Sequence, residues 1–236
     1  MRDYLLFQLY APLTAWGDQA VGQERPSADH PSRSALLGMM AAALGLDRYD
    51  DEAHAVLAQS CRFGMKVYNP GLALRDFHTA QTPPEDRKVH HLFTRRDELS
   101  GEKLGTILSF RSYRQDSLSV VALWLEGDRY QLRELCEALL QPRYQLYLGR
   151  KSCAPALPLN PCILPADSLN EALDIYPVDR DLQNLRKPEI RYYWEPCEHS
   201  GMRESWRTPR YDEPLSRLRW QFTSRDEFVS LAKEDT

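Results

Sequence analysis

Several familiar classes of protein are excluded by what this 236-residue chain does not contain. Its five cysteines, at 61, 136, 153, 162 and 197, are odd in number and form no CxxC pair, which argues against a disulfide framework and a zinc ribbon. Reduced thiols and a cytoplasmic location are therefore expected. The longest apolar run, Ala35 to Leu46, has 12 residues, too few to cross a bilayer and suited to a buried helix. The opening MRDYLLFQLYAP carries charges of both signs and lacks the apolar core and small-residue cleavage site of a signal peptide. Internal repeats and low-complexity linkers are missing, so no freely tethered second domain is expected. Excess positive charge is missing too: 30 basic against 34 acidic residues leave a net charge of −4. A protein that coats nucleic acid along its whole surface is usually strongly basic, so any such site here must be local. Histidines and carboxylates do not cluster at metal-ligand spacing, and the adjacent His90 and His91 cannot share a helical face. No metal or other cofactor is expected.

With 42% hydrophobic residues the chain can bury a sizeable core. Its charge is segregated. The acid-free interval from Ala138 to Ala166 holds Arg143, Arg150 and Lys151, and Arg203 to Arg225 holds six arginines against Glu204, Asp212 and Glu213. Acidic residues gather at Asp47, Asp50, Asp51 and Glu52. This pattern is compatible with one basic face, although solvated charge is the commoner meaning of any single cluster.

The aromatic and leucine-rich stretch Tyr4 to Ala11 reads as a buried strand ending at Pro12. A long loop, Leu13 to Pro31, leads into RPSADHPSRSALLGMMAAALG (25–45). There Ser32 or Ser34 can cap a helix that Gly45 ends, with Leu36, Leu37, Met40 and Leu44 on one face. Arg33 then lies near a helix N-terminus, where unpaired N–H groups and the macrodipole favour an anion such as phosphate. An ordinary capped helix that binds nothing is the alternative. A second helix over Glu52 to Gln59 and a strand over Cys61 to Tyr68 follow. The strand's partner, LSVVALWL (118–125), comes only after about fifty residues, far beyond a usual connection.

That insertion, Asn69 to Ser117, reads as a protruding β-hairpin. Arg75, His78, Arg95, Arg96, Arg111 and Arg114 are interleaved with Phe77, Phe93, Phe110 and Tyr113, a mixture suited to phosphate contacts and base stacking; an arm with ordinary solvated charges is the alternative. A helix over Arg129 to Leu140, a proline-limited strand near Ala156 to Leu164 and a Ser168/Glu171 capping box for a short helix come next. The order β, α, β, insertion, β, α, β matches an α+β, ferredoxin-like (RRM-like) domain over 1–165, with 166–236 as a small β-rich extension.

The segments FQLYAPLTAWG, RPSADHPSRSALLGMMAAALG, LRDFHTAQT, VVALWL and PRYQLYLGRKSCAPALPL together resemble the fifth Cas protein family. This is a RAMP-superfamily group of subunits of the CRISPR surveillance complex Cascade, and the match is to its type I-E branch. The resemblance implies a noncatalytic subunit that binds crRNA and caps the 5′ handle of the guide in antiviral defence. The insertion, about 74–117, would be a thumb reaching toward the backbone subunit. It further implies that Arg25, Ser27, Ser32 and Arg33 line one wall of the RNA site, and Gly149, Arg150 and Lys151 the other. Implied partners are the 5′ handle, the backbone subunit CasC, the large subunit CasA and, through the assembled complex, target DNA, with no membrane. Related subunits elsewhere cut precursor crRNA without metal, and His78, His90, His91 and Lys88 would be the candidates for such an endoribonuclease. A cysteine hydrolase would need Cys153 paired with His78 or His30.

Overall fold

The computed structural model describes residues 1–17, 20, 22–83, 93–101 and 104–233. In chain order the elements are β1 (Arg2–Thr14), the short strands β2 (Trp16–Gly17), β3 (Glu24–Arg25) and β4 (Ser27–Ala28), α1 (Arg33–Leu44), α2 (Asp51–Ser60), β5 (Cys61–Asn69), β6 (Leu72–Thr82) and the single turn α3 (Arg95–Glu98). Then come β7 (Gly105–Leu125), α4 (Leu132–Leu140), β8 (Cys162–Ala166), α5 (Leu169–Ile175), a 3-10 helix (Arg180–Leu185), β9 (Glu189–Trp194), β10 (Trp206–Ser216) and β11 (Gln221–Lys233). One sheet takes the order β10-β11-β9-β5-β7-β1-β8, and every pairing along this path is antiparallel. The fold is thus mixed α/β. No described helix is long and apolar enough to cross a membrane.

Successive residues of a strand point to opposite faces, and here both faces are covered. From β1, Leu5, Phe7 and Leu9 pack on one side with Leu36, Met40, Leu57, Leu135 and Leu139 of the first helices and α4. Tyr4 and Leu6 pack on the other side with Leu169, Leu173, Tyr176, Leu182 and Trp194. This double burial explains the weak alternation of YLLFQLYA. Gln8, buried among them, has its amide satisfied: Nε2 donates to Pro158 O at 3.0 Å and Oε1 accepts from the Asp179 N–H at 3.1 Å.

Several sequence expectations are corrected. The first strand passes through Pro12 to Thr14, since the exposed Pro12 faces Asp116 between the pairs Ala11↔Ser117 and Leu13↔Gln115, and Asp116 takes a left-handed φ of 55°. The last strand of the first half begins only at Cys162, after Pro161. Beyond residue 166 the strands join the main sheet, β9 pairing with β5 and β11 with β9, while α5 and the 3-10 helix pack over one of its faces. The RRM-like comparison fails at one point. RRM domains stack bases on an open sheet face, whereas α5 and the 3-10 helix cover that face here.

The insertion is an arm, as the hairpin reading expected. The first part of the 21-residue β7 pairs with β6 from Thr82↔Gly105 to Leu72↔Gln115, and the rest lies in the core between β1 and β5. At about 3.4 Å per residue the strand extends roughly 70 Å, so one continuous element carries the arm out of the domain. His90, His91 and Lys88 fall outside the described residues.

Candidate nucleic-acid interface

The loop after α4 turns sharply at Gly149, whose φ is 92°. A β-carbon there would lie 1.9 Å from the Ala15 carbonyl oxygen, so only glycine lets this loop approach β1. Its position is tied by the Ala15 N–H donating to Leu148 O at 3.1 Å. The turn delivers Arg150 to the base of the arm. Its guanidinium donates to Ser112 O and Arg25 O, both at 3.0 Å, and lies over the Tyr113 ring, 4.5 Å from the centroid. One side chain thereby joins the loop, β7 and β3. β3 runs parallel to β7, with Arg25 beside Arg111. Arg25, Arg111 and Arg150 are thus brought together from three separate segments, with the exposed Lys151 next to Arg150 in the chain. Among the described residues, none of these four cations is neutralised by an ion pair.

The other expected residues divide. Strand alternation puts Arg75 and Arg114 on the arm face opposite to Arg25 and Arg111. Arg75 pairs with Glu24 at 2.5 Å, and Arg114 Nε donates to Ala28 O at 3.2 Å. His78 shares the Arg111 side, where its Nε2 is 2.6 Å from Asp76. Ser27 serves the short β2–β4 ribbon: its hydroxyl accepts from the Trp16 N–H at 3.0 Å and donates to Ala28 O at 3.1 Å. Glu24 and Asp76 are contacts the site reading missed, whereas Tyr113, named there among the arm's aromatics, is taken up by the Arg150 guanidinium. Pairing the two arms of the hairpin by alternate residues would have found the faces they share.

Ser32 and Arg33 must be withdrawn from the RNA-facing wall. Ser32 is the buried N-cap and accepts from the Ala35 N–H at 3.2 Å. Arg33 is 3% exposed, and its backbone N–H donates to Asp212 Oδ2 at 2.7 Å. The anion attracted by this helix N-terminus is therefore an internal carboxylate. The guanidinium reaches Glu195 at 2.6 Å, Glu213 at 2.5 Å and the carbonyls of Cys61 and Ala58 at 3.1 and 2.5 Å. Burial opposes its charge, but Glu195 and Glu213 raise its pKa further. The network continues through Asp212, Arg225 and Glu227 to His30, whose ring stacks on Tyr193 with centroids 3.7 Å apart. Both His30 nitrogens engage carboxylates, Nδ1 with Asp29 at 2.6 Å and Nε2 with Glu227 at 2.9 Å. Cys153 is buried in the apolar core. The arrangement gives no support to a thiol–imidazole pair.

The structure is thus an arm-bearing α/β protein with three arginines, Arg25, Arg111 and Arg150, drawn to the base of the arm. The chain belongs to the CRISPR-associated Cas5 family, whose model matches residues 4–226, so the resemblance read from the sequence is borne out. It is 33% identical over 232 residues to the CRISPR system Cascade subunit CasD of Escherichia coli (strain K12), covering 97% of this chain and 96% of that protein. Its fold is similar to a chain of a CRISPR RNA-guided surveillance complex, with a TM-score of 0.69, 28% identity, and coverage of 98% of this chain and 90% of that one. It is also similar to a solved Cas protein, with a TM-score of 0.57, 27% identity, and coverage of 98% and 94%.

Proposed function

We propose that this protein is a noncatalytic, cytoplasmic crRNA-binding subunit of a type I-E Cascade complex that caps the 5′ handle of the guide. The observation that carries the reading is the gathering of Arg25, Arg111 and Arg150 at the base of the arm, with Lys151 following Arg150 in the chain. Like charges repel, and although Asp76 faces Arg111 across the hairpin, none of these arginines forms an ion pair among the described residues, so an external anion such as a phosphate backbone would stabilise them. In this reading the cationic patch is the RNA surface and the arm a thumb reaching toward CasC, with CasA and target DNA meeting the subunit in the assembled complex. The strand order β5-β7-β1-β8, with α1 and α4 as its crossovers, supports a ferredoxin-like core within 1–165.

The test measures binding of a repeat-derived 5′-handle RNA at fixed salt to the wild type and to Arg111→Glu and Lys151→Glu. Both residues are exposed, so the variants should fold normally and bind more weakly, with a shallower salt dependence. The RNA should remain intact with or without divalent metal. Unchanged affinity in both variants would remove the site from this cleft, and a defined cleavage product lost in His78→Ala would replace the reading by an endoribonuclease.

A further inference from the structure

The end of the β10–β11 hairpin is apolar where hairpin turns are ordinarily polar. Within residues 215–220, Leu215 is 63% exposed, Leu218 61% and Trp220 59%. Single exposed apolar residues are normal, but three at one turn make a patch. The turn is also fixed in place. Asp51, at the start of α2, accepts from the Ser216 hydroxyl at 2.6 Å and from the N–H groups of Arg217 and Leu218 at 2.8 and 2.9 Å. Trp220 has a φ of 55°, in the left-handed region that turns ordinarily give to glycine or asparagine and where a bulky residue is an outlier. Backbone outliers of this kind collect at binding sites, and the turn itself gives no reason for an outward indole.

Two arginines flank that indole. The guanidiniums of Arg48, from the α1–α2 connection, and of Arg217 lie 5.8 and 5.9 Å from the Trp220 ring centroid. Arg217 is held by a 3.2 Å hydrogen bond to Ser34 O and by Gly38, where a β-carbon would lie 2.8 Å from its Nη2. Among the described residues, neither arginine forms an ion pair. The nearby carboxylates are engaged with backbone: Asp47 with the Tyr49 N–H, Asp50 with the Ala53 N–H, and Asp51 with the turn. Burial, and to a lesser extent Arg48, push the Arg217 pKa below its ordinary value, with Tyr147 acting against them. An external carboxylate would relieve both arginines.

We infer that this hairpin turn is a docking surface for another protein, which meets it with an apolar side chain flanked by carboxylates. Trp and Arg are the residues that most often dominate protein interfaces, and a turn already fixed loses little freedom on binding. The leucines favour protein over RNA, because an aliphatic side chain offers a nucleobase no stacking face and the two guanidiniums already lie beside the indole. The inference rests on reading the chain as a subunit of an assembled complex. Its residues come from elements that contribute nothing to the cationic patch at the base of the arm.

The experiment assembles the complex from the full chain, guide RNA and the other subunits, with Arg48→Lys in place of wild type, and treats it with a carbodiimide, which joins an amine to a carboxylate. Mass spectrometry is expected to find position 48 joined to an aspartate or glutamate of a neighbouring subunit. Trp220→Ala and Arg48→Glu are then expected to weaken binding to that subunit about 30-fold or more, with melting temperature and handle-RNA affinity as in wild type. Arg48 is exposed, so its variant keeps the test independent of any loss of folding in Trp220→Ala. If position 48 joins only carboxylates of its own chain and both variants assemble as wild type does, the docking surface is refuted while the subunit reading stands. Cross-links between two copies of this chain would overturn the choice of partner. Loss of RNA affinity with subunit binding intact would make the turn an RNA contact and the inference wrong. A wild-type chain that enters no complex would fail the functional reading, and the inference with it.

Discussion

Replacing Arg33 by methionine should cost stability, with little direct effect on RNA contacts. The side chain is 3% exposed and shares the interior with Glu195, itself 5% exposed. Burial pushes the Glu195 pKa up, while Arg33, Arg225 and Arg62 act to hold it down. Methionine would leave this carboxylate without its 2.6 Å partner and Glu213 without its 2.5 Å partner. The Cys61 and Ala58 carbonyls would also lose a donor. Removing one member of a buried pair costs about 3–5 kcal/mol, because the remaining charge stays desolvated. For a chain of this size each kcal/mol lowers Tm by about 2–4 °C, so the melting temperature should fall by roughly 6–20 °C. Thermal unfolding followed by circular dichroism measures this directly. Arg33→Met/Glu195→Gln should recover roughly 0.5–3 kcal/mol, since the stranded charge is gone. A single variant that melts within about 2 °C of wild type but binds handle RNA weakly would refute the reasoning and return Arg33 to the RNA-facing wall.

Gly149→Ala should destabilise by more than the roughly 1–3 kcal/mol of a forced backbone conformation, because its methyl also meets Ala15 O; a lowered Tm together with lost RNA affinity is the expected readout. Replacing about residues 78–108 of the arm by a short Gly/Ser turn should leave a folded core. The cut must spare Tyr113, which is 8% exposed, and Leu74, which packs against the same core; an insoluble product would show that the outer arm belongs to the core. The buried array around His30 should make stability pH-dependent. Burial opposes protonation of His30, but Asp29 and Glu227 raise its pKa above 6.5, while Arg210 acts against them. Burial alone would raise Asp29 and Glu227, yet His30 and the surrounding arginines lower both, Glu227 to about 2. The His30 contribution is complete below about pH 6.5 and is lost as pH rises through its higher folded value. The carboxylate contribution is complete above about pH 4.5 and is lost as pH falls toward 2. Melting temperatures of wild type and His30→Asn should therefore converge from pH 6 to 9; a constant difference would show that His30 is buried neutral.

Local signals were legible where a few neighbouring residues decide the outcome. Ser32 and Gly45 bound α1 as their chemistry predicts, and Gly45 has a φ of 77°. The gap between the two core strands revealed the arm because no ordinary connection is so long. Long-range partners were not legible. The anion at the α1 N-terminus comes from Asp212, 179 residues downstream, and local pattern could not select it over phosphate. The same blindness made the C-terminal arginines look like a surface face. Arg225 is tied to Asp212 and Glu227, and Arg217 lies against Gly38 and donates to Ser34 O. The mixed α/β succession of elements was readable, but the extension of the sheet by β9 and β11 and the cover that α5 places over one sheet face were not.

The account turns on where RNA lies, and photocrosslinking tests this most directly. Handle RNA carrying 4-thiouridine would be irradiated with the protein, and the attached peptides identified by mass spectrometry. Crosslinks within residues 24–27, 107–114 and 147–151 are predicted, around the cluster of Arg25, Arg111, Arg150 and Lys151. Crosslinks confined to 169–185, the segment that covers the other sheet face, would contradict the account.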